Sequence, residues 1–181
     1  MDELGAKGRG ESVWLGWFLC CCLRAVCKLS LLVPECDADR RALLSEADQI
    51  ADAIENNAWD GNWYVRAFCD DGKILGSSSS SECMIDSIAQ SWSVLSGYGN
   101  PERSKTALLS AERFLVDAEN GVIKLLTPPF TEDSIADVGY IASYPPGIRE
   151  NGAQYTHAAI WLAKAFFQIG RKDPEFAQKG R

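Results

Sequence analysis

Two kinds of helical segment alternate along this chain of 181 residues, and the alternation constrains the fold more than any other feature. Segments 13–33 and 154–169 are apolar nearly all round, which predicts protein neighbours on most of their faces. Segments 38–57 and 102–118 are amphipathic. In the first of these, Leu43, Leu44, Ala47, Ile50, Ala51 and Ile54 make a single apolar stripe, and charged residues cover the rest. Helices that need neighbours on many sides belong in an inner layer, and one-sided helices belong in a wall around it. Turns join these helices, with long excursions at alternate junctions. The expected class is therefore all-α, a two-layered α/α toroid whose long connections gather at one mouth.

Start and stop signals support this division. Glu11 and Ser12 open the first helix and Pro34 stops it, while Asp37 or Asp39 caps the second. Asp86 leads a helix through Ile88, Ala89, Trp92, Val94 and Leu95 that ends at Gly97. Pro101 fits the first turn of the next, which Asn120 and Gly121 close. Gly170 stops the last. Between the second and third helices, Asp60-Gly61 and Asp70-Asp71-Gly72 are turns around a strand-like run from Trp63 to Phe68, which predicts a small β-hairpin excursion. Ser77 to Ser81 reads as a flexible link, and 122–144 as mostly irregular.

A net charge of -7 without a basic run leaves out a nucleic-acid footprint. Seven cysteines and one histidine make a Cys/His zinc site a poor fit, and Cys20, Cys21, Cys22 and Cys27 crowd one helix without a Cys-x-x-Cys pair. The expectation is reduced thiols in a cytoplasmic protein. Segment 13–33 is long enough to span a bilayer, but Arg24 and Lys28 inside it would be costly in lipid. It is expected to be a helix walled in by protein, without membrane insertion. Six Trp and five Tyr are many for this length; they serve either a large core or platforms for sugar rings and other flat ligands.

Chemistry concentrates in one stretch. Residues 144–157 read Tyr-Pro-Pro-Gly-Ile-Arg-Glu-Asn-Gly-Ala-Gln-Tyr-Thr-His and contain the only histidine of the chain. An apolar helix follows at once. A polar loop that runs straight into a rigid buried helix is where sites are commonly built. The plain alternative is an ordinary turn and helix cap.

Four ordered motifs resemble those of glycoside hydrolase family 94. They are Gly8-Arg9-Gly10-Glu11-Ser12-Val13-Trp14-Leu15-Gly16-Trp17-Phe18-Leu19, the run from Asp60 to Gly72, Gln90-Ser91-Trp92, and the stretch from Tyr144 to His157. That family holds cellobiose and chitobiose phosphorylases and the C-terminal domain of cyclic β-1,2-glucan synthases, and the last motif is worded most like the glucan synthase branch. The resemblance implies an (α/α)6 barrel, of which residues 1–181 would be a single partial catalytic domain. It implies inverting phosphorolysis of a β-glucosidic bond, with an Asp as general acid and inorganic phosphate as nucleophile, and neither cofactor nor metal. The family's acid lies in a Gly-Asp-Trp-Asn-Asp-Gly-Met run whose final Met matches Met1, so the catalytic Asp is expected upstream and the isolated chain is expected to be inactive. Implied partners are a β-glucan or β-glucoside oligosaccharide and the remainder of the same domain. The implied location is cytoplasmic, within an inner-membrane synthase in the glucan synthase case.

Carried over position by position, the resemblance makes His157 a phosphate-binding residue and Glu150 a substrate-contacting carboxylate. Tyr144 matches a sugar-contacting Tyr, and Tyr155 and Gln154 complete the candidate substrate set. Each has a structural alternative: packing for His157, a salt bridge to Arg149 for Glu150, contact with the prolines for Tyr144, and helix-start polarity for Gln154 and Tyr155. Arg66 needs a carboxylate partner, with Asp70 or Asp71 nearest in sequence. Two other functions stay open: an inverting hydrolase with Glu150 as base, and a non-catalytic carbohydrate-binding remnant.

Overall fold

Each apolar helix is followed by a more polar one, and the two pack as a hairpin. The computed structural model describes residues 4–32, 37–131, 134 and 138–180. In it, α1 (Val13–Ser30) lies against α2 (Asp37–Asn57), α3 (Ser87–Leu95) against α4 (Pro101–Leu115), and α5 (Thr156–Gly170) against α6 (Pro174–Lys179). Helices α1, α3 and α5 also touch in that order, so α3 sits between the other two, and α4 reaches α5 as well. The result is a row of apolar helices backed by a row of polar ones.

Position in the row decides burial. The middle helix, α3, buries all nine of its residues, including Ser87, Gln90, Ser91 and Ser93. Buried polar groups need partners, and most are local: Ser91 Oγ donates to Ser87 O (2.7 Å) and Ser93 Oγ to Gln90 O (2.8 Å). Gln90 accepts from Tyr64 N–H (2.9 Å) and donates to Tyr64 O (2.8 Å) and Asp86 O (2.9 Å), which fastens the 58–86 excursion to the helix. Trp63 is buried and donates to Gly76 O (2.8 Å).

At the end of the row, α1 departs from expectation. Its all-round apolarity predicts neighbours on most sides, yet only 22% of its residues are buried. Trp17 and Cys20 enter the core, whereas Leu15, Leu19, Val26 and Leu29 are exposed. The physical reason is that α2 and α3 cover one side of α1, and no described residue covers the other. By length and composition alone α1 could also cross a membrane.

The all-α expectation also needs correction. The chain is mostly helical, but the described residues include three small antiparallel sheets. One has the order β1 (Glu11–Ser12), β2 (Ala67–Phe68), β3 (Ile74–Leu75); the expected hairpin is its β2–β3 half. The second pairs β4 (Ile85–Asp86) with β7 (Leu126–Thr127), and the third pairs β5 (Val116–Asp117) with β6 (Val122–Ile123). The serine run is pinned, not a free link: the Asp60 carboxylate accepts from Ser77 Oγ (3.2 Å) and from Ser78 N–H. Asp39 lies inside the first turn of α2 and is not its cap. The side chain of Asp37, together with Val33, Pro34 and Cys36, falls outside the described residues.

Candidate functional site

The N-terminal ends of α1, α3 and α5 are each fed by a polar connection, and cross-links join these connections. β1 leads into α1, β4 leads into α3, and residues 144–155 lead into α5. Arg66, next to β2, donates through Nη1 to Ser12 Oγ (2.9 Å) and through Nε to Asp86 Oδ2 (3.2 Å). Asp86 in turn caps α3 by accepting from Ile88 N–H (2.7 Å) and Ala89 N–H (3.4 Å). Burial pushes the Asp86 carboxyl above the ordinary carboxylate range even with the guanidinium beside it. One cation therefore ties the entry of α1 to the entry of α3.

This corrects the expected Arg66 pairing. Asp70 accepts instead from the backbone N–H groups of Lys7 (2.6 Å), Arg9 (2.7 Å) and Gly10 (2.9 Å), and these bonds hold its carboxyl below the usual range. Asp71 pairs with Lys73 at 2.8 Å. Both lie in the turn after β2, while the Arg66 side chain extends toward β4.

The 144–157 stretch is a tight turn locked onto the second sheet. Gly147 (φ +81°), Arg149 (φ +50°) and Gly152 (φ +90°) reverse the chain, and Gly147 N–H donates to Asn151 O (2.8 Å). Gly152 packs so closely that a Cβ there would lie 3.1 Å from Pro129 Cβ. Asn151, fully buried, is the pivot. Its Oδ1 accepts from Phe130 N–H (2.7 Å), and its Nδ2 donates to Phe130 O (2.9 Å) and Tyr144 O (2.8 Å). Sequence reading did not single out Asn151. Its place beside Glu150, between two glycines' worth of reversed chain, was the available signal.

The five candidate residues fall into two groups. Glu150, Tyr155 and His157 form a connected set: Tyr155 OH donates to Glu150 Oε1 (3.3 Å), and the Tyr155 ring meets the His157 ring edge-on at 4.4 Å. Glu150 is mostly buried, and its Oε2, itself buried and without a hydrogen bond, forms the alternative expected for it, a salt bridge with Arg149 Nε at 3.5 Å. His157 is exposed in the first turn of α5 and touches Trp161 edge-on at 4.9 Å. Tyr144 is held by Asn151 through its carbonyl, and its ring lies under the Arg149 guanidinium at 4.8 Å. Gln154 uses its amide oxygen to accept from Ile123 N–H (2.8 Å), a bond that joins the loop to β6.

The helix that carries His157 also begins differently from two of its neighbours. Asp86 and Asn100 cap α3 and α4 with side-chain oxygens, whereas α5 begins at Tyr155 without a side-chain cap. Its first-turn N–H groups are thus open to an outside acceptor, which the helix dipole favours when the acceptor is an anion. Among the described residues no cluster of His, Cys, Asp and Glu is placed to hold a metal.

Comparison with known proteins agrees with the motifs. Residues 2–177 match the glycosyl hydrolase 94 superfamily, catalytic domain. The chain is 49% identical over 167 residues to the cyclic beta-(1,2)-glucan synthase NdvB of Rhizobium meliloti (strain 1021), an alignment covering 92% of this chain and 6% of that protein. It is 34% identical over 176 residues to a solabiose phosphorylase of Paenibacillus borealis, with 97% of this chain and 22% of the relative covered. A cellobionic acid phosphorylase of Neurospora crassa is 31% identical over 175 residues, covering 94% and 21%. The chain thus spans 22% or less of the length of each of these curated relatives.

Proposed function

This chain belongs to the glycosyl hydrolase 94 superfamily as part of its catalytic domain, and on that premise we propose that it forms the phosphate- and sugar-binding side of an inverting glycoside phosphorylase acting on β-glucosides. In this reading the three helical hairpins are half of an (α/α)6 barrel, and the rest of the same domain is their partner. The substrate is a β-glucan or β-glucoside oligosaccharide, with a β-1,2-glucan favoured by the glucan synthase likeness.

The observation that carries the reading is the uncapped start of α5, where exposed His157 stands beside Tyr155, itself bonded to Glu150. Inorganic phosphate would take the free first-turn N–H groups and the imidazole, while Glu150 and the tyrosines would take sugar hydroxyls. Phosphate attacks the anomeric carbon from the face opposite the scissile bond. The C–O bond to the leaving sugar breaks as a general acid protonates its oxygen, and an α-sugar 1-phosphate forms. Phosphate is already an anion, so no base is needed. The general acid is not assigned to a residue of this chain, and turnover is proposed for the whole protein.

A single histidine makes the test simple. The imidazole resonances of His157 are expected to shift saturably with inorganic phosphate and not with equal chloride; an unmoved imidazole sinks the phosphate role. In the whole protein, consumption of β-glucoside should depend on phosphate. Cleavage by water without a phosphate effect would favour the hydrolase reading instead, for which Glu150 is the candidate base.

A further inference from the structure

An aromatic row crosses the face of α1, α3 and α5 just below His157. Trp161, one turn on from His157 in α5, meets Trp92 of α3 edge-on at 5.3 Å, and Trp14 in the first turn of α1 lies 6.2 Å from Trp161 and 6.5 Å from Trp92. Phe18 closes the α1 side against Trp92 at 5.0 Å. Side chains of α1 and α5 thus meet each other and the same indole of α3. Trp92 is buried at the back, and its indole N–H has no acceptor. Trp14 and Trp161 are only partly buried, although Trp carries more apolar surface than any other side chain.

We propose that Trp161 and Trp14, braced from behind by Trp92, are the platform on which a pyranose ring of the substrate stacks directly beneath His157. The proposal rests on the functional reading above and adds to it the residues that hold the ring. A β-linked glucose unit has equatorial hydroxyls around its rim and C–H groups on its faces. It therefore needs a flat apolar surface below and hydrogen-bonding groups at the edge. The indoles provide the first. The Tyr155 hydroxyl and the exposed His157 imidazole provide the second, and they are linked to the row through the 4.9 Å contact between His157 and Trp161. Two partly buried indoles are in ring contact with each other, and one of them with the only histidine of the chain.

The experiment titrates the full chain with a β-1,2-linked glucose disaccharide, following the indole N–H resonances and the tryptophan fluorescence. The indole signals of Trp14 and Trp161 should move, and acrylamide quenching of the tryptophans should fall when sugar is bound. Trp161→Leu should weaken sugar binding at least tenfold while phosphate still shifts the His157 imidazole saturably, and Trp161→Phe should recover most of the affinity. If sugar binds but the indoles stay put, or Trp161→Leu binds as the wild type does, the platform is wrong while the functional reading survives. If neither sugar nor phosphate has any effect, the functional reading falls and the platform falls with it. Should Trp161→Leu not fold, protection from acrylamide in the wild type decides the matter.

Discussion

Arg66 is a cation that is 9% exposed, and what keeps it there is its pairing with Asp86 and Ser12. Removing one member of a buried pair leaves the other charge without a partner, which costs about 3–5 kcal/mol. Arg66→Met should therefore lower stability by about that amount in urea denaturation, and Arg66→Met combined with Asp86→Asn should lose less than Arg66→Met alone. A cost below about 1 kcal/mol would show that the pair does not link α1 to α3. Asp70 offers a pH-dependent counterpart. Its carboxylate is favoured in the fold by three backbone N–H groups, so its pKa is lower folded than unfolded. That contribution is complete above the ordinary Asp pKa of about 3.9 and disappears as pH falls through the depressed folded value. Urea midpoints measured from pH 5 down to pH 2 should fall more steeply for the wild type than for Asp70→Asn. Equal slopes would mean that the loop does not depend on the charge.

Helices are punctuated by local chemistry, and several of their starts could be read from sequence for that reason. The end of α4 could not, because the helix stops at Leu115 and Asn120-Gly121 lie in the turn from β5 to β6 instead of closing it. Asp86 before α3 and Asn100-Pro101 before α4 stand where the caps are, because a cap needs only the next two or three N–H groups. The strands could not be read in the same way. Each has two residues, too few for any periodicity, and their partners are remote, as Glu11 is from Phe68. Distance in sequence also hid the partner of Arg66, which passes over the adjacent Asp70 and Asp71 to reach Asp86. In the site, the content of 144–157 was evident and its internal division of labour was not. Gln154 and Asn151 serve backbone groups of other segments, and no local pattern records that. Asn151 holds this loop as an element: three hydrogen bonds from one buried amide fix Phe130 and Tyr144. Asn151→Ala would strand buried backbone groups, each worth about 1–3 kcal/mol. A total loss of about 3 kcal/mol should lower Tm by roughly 6–12 °C in a chain of this size. Faster amide exchange should then appear in 144–153 before it appears in α3. Uniform loss of protection would place Asn151 in the global core instead.

Across the whole molecule, two forces oppose one another at the outer face of α1. Leu15, Leu19, Val26 and Leu29 are exposed along it, and contiguous apolar surface of that kind drives association. The net charge of -7 works against association, because copies of the chain repel at long range. Salt separates the two effects: the screening length shortens to about 8 Å at 0.15 M, while apolar contact is not weakened. Sedimentation of the isolated chain should therefore show concentration-dependent association that increases with added sodium chloride. Val26→Ser with Leu29→Ser lies at the end of α1 away from His157 and replaces side chains that are 49% and 66% exposed. Substitutions at such positions usually change stability by about 0.5 kcal/mol or less. The double variant should accordingly melt near the wild type, sediment as a monomer over a wider concentration range and lose most of the salt response. If it associates as strongly as the wild type, α1 is not the adhesive face. If association weakens with salt, charge and not apolar surface holds the copies together.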